Sequence, residues 1–218
     1  MTKSSEKVPA TAQRLLSVGH SHHDLDAFLA LLRAAGVTAV ADVRSSPFSR
    51  RLPQFNRPHL TAALDQGGIA YVFLGDYLGG RPEPDELYDA EGRVDYERVR
   101  ATEVFREGLD RLVHGTDRFV VAMLCGEEDP LDCHRGLMIT PALVERGILP
   151  GHLRGDGRVE STEEMERRLL TETRVGEGEI GGLFDALLTP EDRRALLAEA
   201  YRRMAHKKAF RRGSDPAP

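Results

Sequence analysis

The sequence predicts an α/β fold: a doubly wound, mostly parallel sheet covered by helices, with a helical C-terminal extension. Three observations lead there. Short apolar runs alternate with stretches of helical spacing between residues 14 and 155. Those runs are near-continuously apolar rather than alternating, the pattern of strands buried on both faces. Glycines punctuate the joints, and right-handed crossovers then place helices on both sides of one sheet.

Each element follows from local pattern. RLLSVGH (14–20) reads as a buried strand ending at a glycine. Leu25, Phe28, Leu29 and Leu32 then recur at helical spacing up to Gly36, with Ser21 and Asp24 fitting a capping box. VTAVADV (37–43) is a second strand, PHLTAALDQGG (58–68) a helix with Pro58 near its first turn, and IAYVFLG (69–75) a third strand. Residues 78–94 are rich in Gly, Pro and charge and read as a long surface loop. Residues 95–114 return to helical spacing, and RFVVAMLCG (118–126) is the clearest strand. Asp129 and Pro130 open a helix that Pro141 must kink or restart, and ILPGHLR (148–154) is a last strand whose proline suits an edge. Beyond residue 155 come a charged helix (RVESTEEMERRLLTETR), a linker (VGEGEIGG) and a capped helix ending in basic residues. Residues 1–13 read as a flexible leader, 14–155 as the α/β domain and 156–218 as the extension.

Composition bounds the function. With 218 residues and 40% hydrophobic content the chain can bury a core. No signal peptide is visible, and no segment approaches the roughly 20 apolar residues of a membrane span. Two cysteines make no disulfide framework, so a cytoplasmic protein is expected. A formal net charge of -5 gives no global attraction to nucleic acid. Locally, residues 44–57 hold Arg44, Arg50, Arg51 and Arg57 with no acidic residue among them. That loop follows a strand and suits an anion, although a chain that prefers Arg to Lys also produces such clusters by chance.

Ligands of open α/β sheets bind outside the carboxyl ends of the strands, where this sequence concentrates its unusual residues. The first strand is followed by His20, Ser21, His22 and His23; the second by Asp42, Arg44, Ser49 and Arg50; the third by Gly79, Gly80 and Arg81; the fourth by Cys125, Glu127, Cys133, His134 and Arg135. Plainer roles stand beside each. His20 and Ser21 can serve a loop and a cap, Asp42 can merely orient Arg44, His22 and His23 can lie on the surface, and the paired glycines can make a tight turn.

The stretch LCGEEDPLDCHR (124–135) holds both thiols. A disulfide is unexpected in a reducing compartment. Zinc would take Cys125, Cys133, His134 and one of His20 or His22, but Cys-x7-Cys-His lacks the tight spacing of zinc fingers. Reactivity follows thiolate fraction, and Glu127, Glu128 and Asp129 disfavour a thiolate at Cys125. Cys133, beside His134 and Arg135 in the first turns of a helix, is the better nucleophile; lowering a thiol pKa from ~8.5 to ~6.5 takes roughly 2.7 kcal/mol. Cys125 would then resolve or support it, or simply pack.

With SVGHS (17–21), ADVRSSPFSR (41–50) and Phe55, IAYVFLGDYLGG (69–80) and LCGEEDPLDCHR (124–135) in this order, the chain resembles the domain-of-unknown-function 488 family. The resemblance covers about residues 14–155 and implies a compact α/β fold with a Cys- and Cys-His-Arg-bearing site, without an activity. It carries over His20, Ser21, Asp42, Arg44, Ser49, Arg50, Gly79, Gly80, Cys125, Glu127, Cys133, His134 and Arg135; Gly126 departs from an expected alanine or other small residue.

The leading expectation is a hydrolase or group transferase acting on an anionic substrate, possibly a nucleotide or nucleic-acid fragment. Cys133, Cys125, His134, Glu127, His20 and Asp42 would do the chemistry, and Arg44, Ser49, Arg50, Arg135, Ser21, Gly79 and Gly80 would bind the substrate. The alternatives are a nucleic-acid-binding module, using residues 44–57 and 202–212, and a metal or redox sensor built on the cysteines. The sequence names no cofactor and no oligomeric state.

Overall fold

The computed structural model describes residues 14–176 and 189–213. The expected leader and most of the expected linker lie outside them. Six strands form one sheet in the order β3-β2-β4-β1-β5-β6: β1 Leu15–Gly19, β2 Ala39–Asp42, β3 Ala70–Phe73, β4 Val121–Cys125, β5 Gly151–Leu153 and β6 Val159–Glu160. All pairings are parallel except β5 with β6. The fold is α/β, with a helix α8 (Pro190–Lys208) at its C-terminal end.

Alternate residues of the buried strands feed two cores. Leu16, Val18, Val40, Ala122 and Leu124 pack with Phe28, Leu29 and Leu32 of α1 (Leu25–Ala34) and Leu60 and Leu64 of α2 (Arg57–Gln66). Leu15, Ala39, Ala41, Val121 and Met123 face the other way. They meet α5 (Glu103–Gly115), α6 (Thr140–Val144), α7 (Thr162–Thr173) and α8. The connections leaving β1 and β4 therefore run to opposite faces of the sheet. Because β1 and β4 are neighbours, their carboxyl ends flank the point where strand order reverses, where such sheets open a crevice.

Several expectations change in detail. Asp24, not Ser21, caps α1, accepting the Ala27 N–H at 2.7 Å, while Ser21 adopts a left-handed φ of 45°. The third strand is an edge, half exposed along its length, so its apolar run does not signal full burial. Residues 95–114 divide into α4 (Tyr96–Ala101) and α5 because Thr102 caps a new helix. The 78–94 segment, with the four-residue α3 (Gly75–Leu78) leading into it, is no mere surface loop. It buries Leu87, Tyr88 and Val94, and the Val94 N–H donates to Phe210 O at 2.9 Å. Past residue 155 the sheet gains β6, hidden from the sequence reading inside a charged run, and α7 and α8 join the same core as α5 and α6.

The largest difference lies after β4. Asp129 is a cap as expected, but of a short 3-10 turn, Pro130–Asp132. Cys133 is then extended (φ -142°, ψ 149°), so it precedes the next helix instead of sitting in its first turns. Arg135–Ile139 form a π-helical turn, where the Thr140 N–H bonds Arg135 O and the Thr140 hydroxyl donates to the same carbonyl at 2.8 Å. The wide turn accommodates Pro141, which has no N–H to continue an ordinary α-helical ladder.

Candidate functional site

Four loops meet beyond the carboxyl ends of the parallel strands, and backbone geometry locks them together. The His20 N–H donates to Cys125 O at 3.1 Å and the Ser21 N–H to Gly126 O at 2.8 Å. A Cβ on Gly19 would lie 1.6 Å from Glu127 O, so only glycine lets the β4 loop cross there. One on Gly80 would lie 2.8 to 3.0 Å from three atoms of His134. Gly80 thus admits an imidazole of this chain, while Gly79 packs against Gly75 O and Ser45.

His134 is the pivot. Its Nε2 donates to Val43 O at 2.9 Å, and a carbonyl can only accept, so Nε2 carries a proton. In the neutral ring Nδ1 is left with a lone pair. That atom lies 3.6 Å from Cys125 Sγ and 3.7 Å from Cys133 Sγ. Both cysteines are free and buried. Burial holds the Cys125 thiol well above the ordinary range, and Cys133 adds to that shift. The Cys125 thiol donates to Glu127 Oε2 at 3.1 Å, and Cys133 Sγ accepts the Arg135 N–H at 3.4 Å. Burial would raise the Glu127 carboxyl, but the bond from Cys125, its own N–H and His134 outweigh it, so Glu127 is held below its usual pKa. Glu127 as a residue is exposed while its carboxyl is partly buried against Cys125, so it lies between the enclosed thiols and the outside.

The other expected residues divide. His20 stacks on Phe55 with centroids 4.3 Å apart and donates from Nδ1 to Ser21 O at 2.9 Å, leaving Nε2 with the lone pair. Burial, helped by Arg44, lowers His20 to about 4, so it is neutral at pH 7. Asp42 is fully buried and grips Arg44 through Nε at 2.9 Å and Nη2 at 2.6 Å, while Tyr71 donates to it at 2.8 Å. These bonds fix the direction of the Arg44 guanidinium. Ser49 closes its own loop, accepting the Arg51 and Leu52 N–H groups, and Arg50 is exposed. Arg135, expected to hold an anion, turns inward. Its guanidinium donates to Glu127 O (2.7 Å), Glu128 O (2.6 Å) and Ser17 Oγ (3.4 Å), so it braces the β4 loop. His22 is exposed and His23 half-buried.

Sequence reading missed the outer framework. Ser17 and His152, side by side on β1 and β5, share a 2.8 Å hydrogen bond in the core. A serine inside LLSVG was the available signal. Arg154 and Arg168 bind Asp129 and the buried Glu160, and Arg154 also binds Glu128, tying the β4 loop to β6 and α7. Tyr96, from a segment with no motif, lies within electrostatic reach of both cysteines, and burial raises its phenol with their help. It also lines a cleft of about 1380 Å³ whose walls include Arg100, Phe105, Leu137, Glu145 and Tyr201. Cys125, Cys133 and His134 line neither that cleft nor the smaller one beside Arg57 and Tyr71.

A model of the family described as "domain of unknown function DUF488" matches residues 24–140, more than half of the chain. The chain belongs to this family. The matched stretch runs from the cap of α1 through Cys125, Cys133 and His134 to the end of the π turn; His20 and Ser21 precede it. No curated protein and no solved structure matches the chain. Among the described residues, no helix is long and apolar enough to cross a membrane.

Proposed function

We propose that the chain is an enzyme, a hydrolase or group transferase, that acts on an anionic substrate at the rim formed by the β1, β2 and β4 loops. One observation carries this reading: a single imidazole lone pair faces two thiols, with an ionised carboxylate at the solvent side. Such a set can hold and move protons. His134 is oriented by Val43, and Glu127 connects it to water. Arg44, oriented by Asp42, and the exposed Arg50 supply positive charge for a phosphate-like group. His20, neutral and with a free Nε2, is a second proton acceptor on the same rim.

A panel of phosphomonoesters, nucleotides and short oligonucleotides tests the reading. Turnover by the wild type should fall at least ~100-fold in Cys133→Ser and Glu127→Gln, as loss of a proton-transfer group does. Arg50→Ala should raise KM with little change in kcat. Absence of turnover on the whole panel, or full activity in both Cys133→Ser and Glu127→Gln, overturns it. One observation favours a second reading, nucleic-acid binding. Phe48 is 67% exposed in the same loop as the exposed Arg50 and Arg51, with exposed Arg57 opening α2 just after it, a surface on which a base can stack between phosphate contacts. Binding of labelled single strands that weakens steeply with salt would support it.

A further inference from the structure

The geometry points to a resident thiophilic divalent ion of the zinc class, held by Cys125 Sγ, Cys133 Sγ and His134 Nδ1, with its fourth position facing Glu127. These three donor atoms all lie within 4.8 Å of one another in the buried interior. Zinc bonds sulfur at ~2.3 Å and imidazole at ~2.0–2.1 Å, so a tetrahedral ion separates an S and an N ligand by about 3.6 Å. The two nitrogen–sulfur distances are 3.6 and 3.7 Å. The two nitrogen–sulfur edges of the required tetrahedron are thus in place before any ion enters, and the sulfur–sulfur edge lies within 4.8 Å.

The surroundings fit as well. Metal-binding histidines usually donate their second ring N–H to a carbonyl or carboxylate, which fixes the tautomer and aims the lone pair. Val43 O does this for His134. The Arg135 N–H points at Cys133 Sγ, a contact a thiolate strengthens. The imidazole packs against Gly80, where even a Cβ would lie within 3.0 Å of its atoms. Charge closes the argument: one divalent cation and two thiolates sum to zero, so the loaded centre buries no net charge. Binding replaces two thiol protons with two metal–sulfur bonds and releases both protons to solvent. The thiol hydrogen that Cys125 now donates to Glu127 Oε2 is one of them, so that in a loaded site the Glu127 carboxylate would be left without it and would face the open position. Zinc deaminases divide the labour in this way, with Cys and His as ligands and a nearby Glu that is not one. Soft donors disfavour magnesium and calcium as residents, and two cysteines with one histidine fall short of even the Cys₂His₂ set that the least cysteine-rich iron–sulfur centres use.

The ion would take up the lone pair and both thiols of the proposed proton-moving set, leaving Glu127 and His20 as its proton carriers, and it can sit here with or without turnover. The test uses the full chain, purified without chelator and then titrated with Zn²⁺ and with Co²⁺. About one equivalent should bind per chain, and cobalt should develop near-ultraviolet sulfur-to-metal charge-transfer absorption. Cys125→Ser and Cys133→Ser should each remove part of that absorption and weaken binding by more than about 100-fold, beyond the loss of an outer hydrogen-bond partner. In case a variant fails to fold, the wild type alone also decides: zinc should protect both thiols from maleimide, and Mg²⁺ should not. No charge-transfer band and no protection in the folded wild type overturns the proposal, as does unchanged binding in both variants, which would place the ion on surface histidines. Zinc bound without turnover leaves the metal and removes the enzyme reading. Turnover by a wild type that shows neither the charge-transfer band nor zinc protection does the reverse.

Discussion

Gly80 has no side chain because His134 fills the space where one would go. Alanine there must push the ring off its line to Val43 O, and overpacking of this kind costs about 1–3 kcal/mol. Gly80→Ala is therefore expected to lower the urea midpoint and to weaken zinc binding together; a variant with wild-type values for both would show that the ring has room. A second residue-scale prediction concerns His152, buried on β5 with its Nε2 unpartnered. Burial, aided by the positive charges of Arg135, Arg154 and Arg168, lowers its pKa from 6.5 to about 3. Between those values the unfolded chain binds a proton that the folded chain refuses, so this contribution is complete above pH 6.5 and is lost as pH falls below it. The slope is about 1.4 kcal/mol per pH unit at most. Urea midpoints measured from pH 7 to 5 should fall in the wild type and fall less in His152→Gln.

At the scale of elements, the π turn and the ion-pair framework govern where the thiols point. Glu160 is almost fully buried between Arg154 and Arg168, and Asp129 and Glu128 join them from the β4 loop. Removing a partner from a buried charge is far costlier than losing a surface pair, commonly 3–5 kcal/mol. Because both arginines are partly exposed, Arg154→Met is expected to cost about 2 kcal/mol, read as a lower thermal midpoint, and to increase maleimide reactivity of the thiols as the loop loosens. Unchanged reactivity would show that the Arg135 brace holds the loop unaided. This scale also explains what the sequence could disclose. Parallel strands place all their carboxyl ends on one edge, so apolar runs ending in Gly-His, Asp-Val-Arg and Cys-Gly were enough to gather the rim. Adjacency along the chain says nothing about direction, however. Cys133, His134 and Arg135 are consecutive, yet His134 aims at Val43 while Arg135 points to Ser17 and the Glu127 carbonyl. The break at Cys133 and the wide turn after it set those directions, and no residue pattern announces a π turn. The β6 strand was missed for a simpler reason: two residues are too few to show a period.

Across the whole molecule, the C-terminal helix is part of the core it was expected to extend. Ala200, Tyr201 and Met204 of α8 are buried with Leu169 and Leu170 of α7. Tyr201 donates to Glu166 at 3.1 Å, and the chain after α8 returns to Val94. A chain ending at residue 176 exposes that surface, so it is expected to melt several degrees lower and to bind a hydrophobic dye; a full-stability product would show α8 to be dispensable. Strand order has its own consequence for how the protein is made. The central strand β4 separates β1 from β2 and pairs with both, yet it lies about eighty residues later in the chain than β2. While the polypeptide is still being synthesised, the first two strands have no permanent neighbour in common. Their edges wait for residues 121–125 to leave the ribosome, and the thiol at residue 125 arrives with the strand that closes the gap.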